Sequence, residues 1–554
     1  MKKVLFFYFS LLFVLFSCGA IENNSNQDNK SSNSNLYPND LNPIVSQNIS
    51  DSQDFIFSTN SVGTTRITIR RSEWNKMLSY YDYFYKNENL VMAESYEYSK
   101  QGKKWLLNNV GFRLRGNTSR FRPQGKDTPT DEVGNLQRNA EWNPDYYEYA
   151  KNCSDDDYRQ SHFKIDFEPS DTDDRKMSDC LKGMALKRSD AIFGREIYCY
   201  YLFHQYGIWT APRACHTKVY IKFIEDLEND GTVKEDISEC NTTLIDFGVY
   251  EMFEEVNKQS LKSRMQKNNT TNAENAWLGN DGDLWKCSGG DLSLESNVPE
   301  NFGCEEILVL NTDKDKSQWD YKFFAPFYDL KTNKNKVDKA TAYFQDFIIQ
   351  LNALAKIDAK TPEGIQARVD FYEKWFDVDF FVKTVAVNML VGMDDDYWGN
   401  KNNYYLYFDN GKNGSGKCYM IPFDYDNTMG CSITGDKVIS NPMEWGNGEN
   451  RPLMQHFLEV PEYKQLLKIT LLEVSSQDPS SPWNKNNNFE LWKKWHKMLK
   501  PFVFTKSIQG WPNIATIWIY DDGGWKEQRH FLTQEQNNIY EQVTNNFRYW
   551  LIDK

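Results

Sequence analysis

The chain has 554 residues, of which 40% are hydrophobic and 26% charged, enough apolar content for large packed cores and too much for a mostly disordered polymer. With 64 basic against 78 acidic residues the net charge is −14, which speaks against binding nucleic acid through a global basic field. A mean hydropathy of −0.71, and no run of about 18 uncharged apolar residues beyond the N-terminus, exclude a multispanning membrane protein. The first segment reads as an address. Lys2 and Lys3 precede an apolar stretch, Val4 to Phe16, too short to span a bilayer comfortably, and Ser17 and Cys18 follow where a bacterial lipobox is cleaved and acylated. The expectation is a lipoprotein signal over 1–18 with Cys18 as the lipidated residue. A flexible tether follows over 19–54, where Ile21 to Leu36 alone holds six Asn and four Ser. The body is then expected in the bacterial cell envelope, held to a membrane by lipid and facing the periplasm or the outside.

Along the body, residues 55–70 end in an alternating run, Arg66 to Arg70, that predicts a strand. Tyr80 to Tyr98 is rich in aromatics without a clear period. Gly111 to Gly116 predicts a short strand into a turn, and the polar residues 124–161 an insertion loop. Phe163 to Phe167 and Met184 to Lys187 predict strands. A helix is expected from Asp190, as its cap, to Tyr206, ended by Gly207. Val219 to Ile224 and Leu244 to Phe253 predict strands around an acidic loop, 225–240, and 256–300 looks polar and irregular. Leu351 to Ala355 and Phe371 to Val391 are expected helical, the latter ending at Gly392. Tyr404 to Phe408 and Cys418 to Phe423 predict a hairpin, and 440–554 is mostly helical in pattern. Nine cysteines remain besides Cys18, an odd number, so at least one stays outside any intrachain disulfide. No CxxC, HExxH or GxSxG motif occurs, which weakens zinc and α/β-hydrolase readings.

The stretch that carries chemistry is 376–430. A helix ends at Gly392, and Asp394, Asp395, Asp396, Asn400, Asn402 and Asn403 follow in a loop. After the hairpin, IPF over 421–423 runs into Asp424, Asp426 and Asn427. Phosphoryl transfer needs one carboxylate to orient the attacking hydroxyl, and an amide oxygen with a second carboxylate to hold Mg2+ on the phosphates. In protein kinases the base sits on a loop after a helix, an Asn follows five positions later, and the metal Asp ends a strand after a hairpin. Asp395, Asn400 and Asp424 reproduce that order and spacing without the letters HRD or DFG. The same acids would also suit a solvated helix end or a Ca2+ loop.

Taken with GFRLRGNTS over 111–119, FKIDF over 163–167, the helix around Glu196, GVYEMFE over 248–254, GDLWK over 282–286, IPFDYD over 421–426 and, more weakly, RPL over 451–453, this region resembles the CotH family, the spore coat protein H-like proteins. The resemblance runs from roughly 60 to 470. It implies an α+β fold of the atypical protein-kinase-like kind, two-lobed, with insertions and a helical C-terminal extension. The N-terminal lobe would span 55–255, the C-terminal lobe 256–475 and the extension 476–554. It further implies that Arg113, Arg115, Asn117 and Ser119 lie over the nucleotide phosphates. Lys164 would be the strand lysine that neutralises phosphate, with Glu196 as its partner; Lys187 and Lys286 compete for the lysine's role. Asp395 would be the catalytic base, and Asn400 and Asp424 would hold the metal, with Asp426 as alternative or second ligand. The implied activity is transfer of phosphate from ATP, with Mg2+ or Mn2+, to Ser or Thr of a protein, which includes the chain itself. The alternative is a surface lipoprotein with a degenerate site that binds glycans or protein partners. A glycosidase built on Asp395 and Asp424 is a third, lesser reading.

Overall fold

The computed structural model describes residues 53–83, 88–116, 120–125, 154, 156–170, 177, 181–188, 193–264, 277–304, 326–429, 441–445, 451–503, 520–521, 524–525 and 539–553. The expected signal segment with Cys18, most of the expected tether, Asn117 and Ser119, and most of the expected 124–161 loop lie outside the described residues. No described helix is long and apolar enough to cross a membrane.

A short helix α1 (Gln53–Ile56) leads into strand β1 (Gly63–Arg70) and helix α2 (Arg71–Tyr83). Strands β2 (Val91–Lys100), β3 (Lys103–Leu114), β4 (Phe163–Asp166) and β5 (Gly183–Arg188) follow. Helix α3 (Arg195–Gln205) precedes β6 (Ala214–Ile224) and β7 (Thr242–Phe253). These strands form a closed barrel in the order β1-β2-β3-β4-β5-β7-β6. The fold is α+β as expected, and the segment 55–255, expected as the N-terminal lobe, holds this closed seven-stranded barrel. The cause is non-local: β1 pairs antiparallel with β2 on one side and parallel with β6 on the other, Ile67 opposite Ile221, so no edge of the first strand stays open. The strands alternate so that Ile67, Tyr96, Phe112, Phe163, Leu186 and Phe247 point inward. From α2, Trp74 enters that interior, its ring centroid 5.1 Å from Phe223, 6.1 Å from Phe247 and 6.3 Å from Phe163.

Beyond the barrel come α4 (Lys258–Ser263), β8 (Asp283–Cys287), β9 (Phe302–Gly303) and β10 (Tyr328–Leu330). Helices α5 (Val337–Ala353), α6 (Pro362–Trp375) and α7 (Val378–Leu390) precede β11 (Tyr404–Phe408) and β12 (Cys418–Pro422). These strands make a second sheet in the order β12-β11-β8-β10-β9. The remaining long elements are α8 (Pro452–Leu458), α9 (Pro461–Val474), α10 (Lys485–Val503) and α11 (Ile539–Arg548). One face of the second sheet, with Trp285, Tyr328, Leu406 and Phe408, packs on the helices in the largest core. Its other face carries Lys286, Tyr405 and Phe423, with Lys286 directly opposite Tyr405.

Several local expectations change. Tyr80 to Tyr98 divides into the end of α2 and most of β2. The stretch 256–300, expected irregular, contributes α4 and the central strand β8, five residues whose polar flanks hide them. Phe371 to Val391 is two helices, because the Asp377 side chain accepts the Phe380 N–H at 3.1 Å and caps a new start. Helix α3 begins at Arg195, after Gly194 with φ 134°, and Asp190 lies outside the described residues. A side chain at Gly194 would also meet His216 Nε2 at 2.9 Å, so the turn into α3 needs glycine.

Candidate active site

The site gathers around Lys187 near the end of β5. Strand alternation turns Leu186 into the barrel and Lys187 outward, over the ring of Phe253 at 5.5 Å from its centroid. Helix α3 starts eight residues later and presents Glu196 to it, with Lys187 Nζ 2.5 Å from Glu196 Oε2. The same ammonium lies 2.5 Å from Asp424 Oδ1 and 3.7 Å from Asp426 Oδ2. One cation thus faces three carboxylates, and the cluster keeps a net negative charge when all are ionised. Burial by itself would discharge Lys187, but Asp424, Glu196 and Asp426 outweigh it and hold the amine charged, well above its ordinary range.

The expected pairing of Glu196 with Lys164 is therefore corrected. Lys164 and Lys187 share the outward face of neighbouring strands, but the register sets Lys164 opposite Ala185, two residues short of Lys187. That offset is about 7 Å along the strand. Lys164 Nζ instead lies 3.3 Å from Glu255. Arg113 is held by Glu88 at 2.8 Å. Arg115, just past β3, stands near enough to Asp424 to favour its charged form, as does Lys286 from the second sheet.

Asp424 follows β12 with a left-handed φ of 62°, a conformation uncommon for a residue with a side chain, though Asp is among those that tolerate it. Its amide donates to Tyr200 Oη at 3.0 Å, and Tyr200 Oη donates to Glu196 Oε1 at 2.8 Å. Desolvation alone would raise the Asp424 carboxyl, but Lys187, then Arg115 and Lys286, bring it below the usual range. Asp426 goes the other way: loss of water, with repulsion from Asp424 and Glu196, pushes it up to about 7 although its side chain is 44% exposed.

Asp395 comes from the loop after α7, which ends at Gly392 with φ 69°. The loop closes on itself where the Asn400 N–H donates to the Asp394 carbonyl at 3.1 Å. A Cβ on Gly399 would stand 2.0 Å from that carbonyl oxygen, so only glycine fits there. Asp395 accepts from Asn400 Nδ2 at 2.8 Å, Asn403 Nδ2 at 3.0 Å and Asn427 Nδ2 at 3.3 Å. Asn427 Nδ2 also lies 3.1 Å from Asp426 Oδ1, so a single amide joins the loop to the segment after β12. Desolvation, with repulsion from Asp424, raises the Asp395 carboxyl, while Asn400 opposes the rise. A carboxylate made more basic and fixed by three amides suits proton acceptance.

Among the described residues, no three His, Cys, Asp or Glu side chains converge into a ready metal cage. The donors present are the Asp424 and Asp426 carboxylates with the Asn400 and Asn427 amides, all hard oxygens. They fit Mg2+ or Mn2+, which take one or two protein carboxylates and complete their shell with phosphate oxygens and water. Asp395, Asn400, Asp424, Asp426 and Glu196 thus come together, with Arg115 nearby. Arg113 is committed to Glu88, and Asn117 and Ser119 lie outside the described residues. Lys187 enters the centre; Asn403 and Asn427, which lie in the 376–430 stretch without an assigned role, join it, and Tyr200 joins it unforeseen. Tyr200 stood one helical turn after Glu196, on the same face of α3, which is the signal that could have found it.

The family model described as CotH kinase protein matches residues 153–549, most of the chain. It begins after the Arg113 turn and runs on through α9, α10 and α11. Comparisons with curated proteins and with solved structures give no match. The lysine, the helix glutamate and both aspartate segments all lie inside the matched region, and the chain belongs to the CotH kinase protein family.

Proposed function

We propose that this protein is an ATP-dependent phosphotransferase acting on Ser or Thr hydroxyls of proteins, itself included, through a two-lobed kinase-like arrangement. The barrel would serve as the nucleotide lobe and the helices with the second sheet as the other. The observation that carries the reading is the contact of Lys187 with both Glu196 and Asp424: a strand lysine, a helix acid and the acid that follows a hairpin strand meet at one point. In the proposed reaction the substrate oxygen attacks the γ-phosphorus, the bond to the β,γ-bridging oxygen breaks, and Asp395 accepts the hydroxyl proton. Lys187, held charged by Asp424 and Glu196, steadies phosphate oxygens, and Arg115 and Lys286 add positive charge nearby. A bound divalent cation, held by Asp424 with Asn400 or Asp426, would supply charge neutralisation on the phosphates. The proposal includes a lipid-anchored place in the bacterial envelope, which rests on Lys2 to Gly19.

The test is phosphate transfer from γ-labelled ATP to a mixture of Ser/Thr protein acceptors and to the chain itself, with Mg2+ and with Mn2+. Label should appear in the wild type and fall by about 10²–10⁴-fold in Asp395→Asn, the range for loss of a general base. Equal labelling in both proteins would sink the assignment of Asp395, and no labelling of any acceptor by folded wild type would sink the activity.

A further inference from the structure

We infer that Tyr200 is a positioning residue that sets Asp424 and ties its conformation to the Lys187–Glu196 pair; this deepens the phosphotransferase reading and rests on it for its catalytic consequence. Tyr200 is buried, 2% exposed, in the middle of α3. Its ring is held independently of its hydroxyl, packed edge-on to Phe253 at 6.0 Å and against Tyr425 at 5.9 Å. The hydroxyl therefore has little freedom, and it performs two tasks: it donates to Glu196 Oε1 at 2.8 Å and accepts the Asp424 N–H at 3.0 Å.

The second bond falls where the backbone needs support. Asp424 sits at φ 62°, and a residue in that region stays there only when its surroundings hold it. The segment after β12 has further ties: Arg195 Nη1 donates to the Asp426 carbonyl at 2.8 Å, and the Met429 N–H donates to the Val391 carbonyl at 2.7 Å. Of these, only the Tyr200 bond reaches Asp424 itself and also touches the partner of Lys187. A displacement of α3 that drew Glu196 from Lys187 would carry Tyr200 with it and release the Asp424 amide. The lysine pair and the metal-ligating acid, already joined through Lys187, thereby gain a second link that fixes the Asp424 backbone.

Tyr200→Phe keeps the ring contacts and removes both hydrogen bonds. The full chain is compared with this variant by amide hydrogen exchange across residues 421–429, by melting temperature, and by steady-state phosphate transfer over a range of Mn2+ concentrations. Expected are exchange at Asp424 faster by about tenfold or more with exchange along α3 unchanged, and a kcat about 10–100-fold lower with the KM for ATP within a few-fold of wild type. The Mn2+ concentration for half-maximal rate should rise, and melting should stay close to wild type. Glu196→Gln, which leaves the Tyr200–Asp424 bond possible, should keep the Asp424 amide protected. A rapidly exchanging Asp424 amide in the wild type overturns the inference without any variant, and so does unchanged exchange and kcat in Tyr200→Phe. If wild type transfers no phosphate while exchange behaves as expected, the link through Tyr200 stands and the phosphotransferase reading is what falls.

Discussion

Two ion clusters lie near the two ends of α3, one at its first turn and one at the turn that follows it, and only one of them is built for chemistry. In the first, Glu254 meets Arg264 at 2.7 Å and Arg213 at 3.3 Å, two guanidinium groups around one carboxylate that is 2% exposed. Arg264 also donates to the carbonyls of Trp209 and Ala211 at 2.9 and 2.8 Å, so the cluster bolts the turn after α3 to the end of β7 and to α4. Burial would raise Glu254, but Arg264 and Arg213 overcome it and hold it down to about 2. In the second, Lys187 faces three carboxylates, of which Asp424 and Asp426 keep 34% and 44% of their side-chain exposure. Burial and ion pairing are common to both. What separates them is that the first is satisfied within the protein, whereas the second has an excess of partly exposed oxygen donors, the condition for receiving a cation and phosphate from outside.

That contrast can be broken by substitution. Asp424→Ala should reduce phosphate transfer by about a thousandfold or more while leaving the melting temperature nearly unchanged; a comparable loss of folding stability would place the second cluster in the same class as the first. Arg264→Ala should do the opposite. Glu254 keeps Arg213 but loses its closer guanidinium partner, which should cost about 1–3 kcal/mol in denaturant unfolding, with kcat per folded molecule preserved. The acid limb of the stability curve gives a smaller and more particular effect. The folded Glu254 value lies near 2, below its ordinary 4.5, so its contribution is complete above pH 4.5 and is lost as pH falls through 2. Glu254→Gln should be less stable at pH 7 yet show a flatter dependence in that window, and an unchanged slope would contradict the assignment. Smallest of all, Lys164→Ala, which loses its partly exposed pair with Glu255, should alter transfer a few-fold at most. A loss as large as that of Lys187→Ala would return Lys164 to the centre.

The loop and strand motifs were legible because local chemistry dictates them. A helix that must stop at Gly392, a run of Asp and Asn that must be solvated or bound, and a strand leading into Asp424 can each be read over a dozen residues. The lysine could not be chosen that way. Lys164 and Lys187 both alternate outward on short strands, and only the pairing of Lys164 with Ala185 shows which one reaches α3. Closure of the barrel was hidden for a similar reason: β1 and β6 pair across about 150 residues, and no periodicity carries that distance. Strand β8 escaped notice because five residues between polar loops show too little alternation, although the strand is central in its sheet and carries Lys286. Tyr200 and Asn427 show a further limit, since what matters in each is a hydrogen bond to a residue on another element.

The decisive experiment for the Lys187–Glu196–Asp424 centre is nucleotide binding. The full chain would be titrated calorimetrically with ATP in Mg2+, in Mn2+ and in chelator, beside Lys187→Met, Asp424→Ala and Arg264→Lys. Metal-dependent binding is expected for wild type and for Arg264→Lys, and its loss in Lys187→Met and Asp424→Ala while both remain folded. Binding that is indifferent to Lys187 and Asp424, or no binding by folded wild type under any metal, would contradict it.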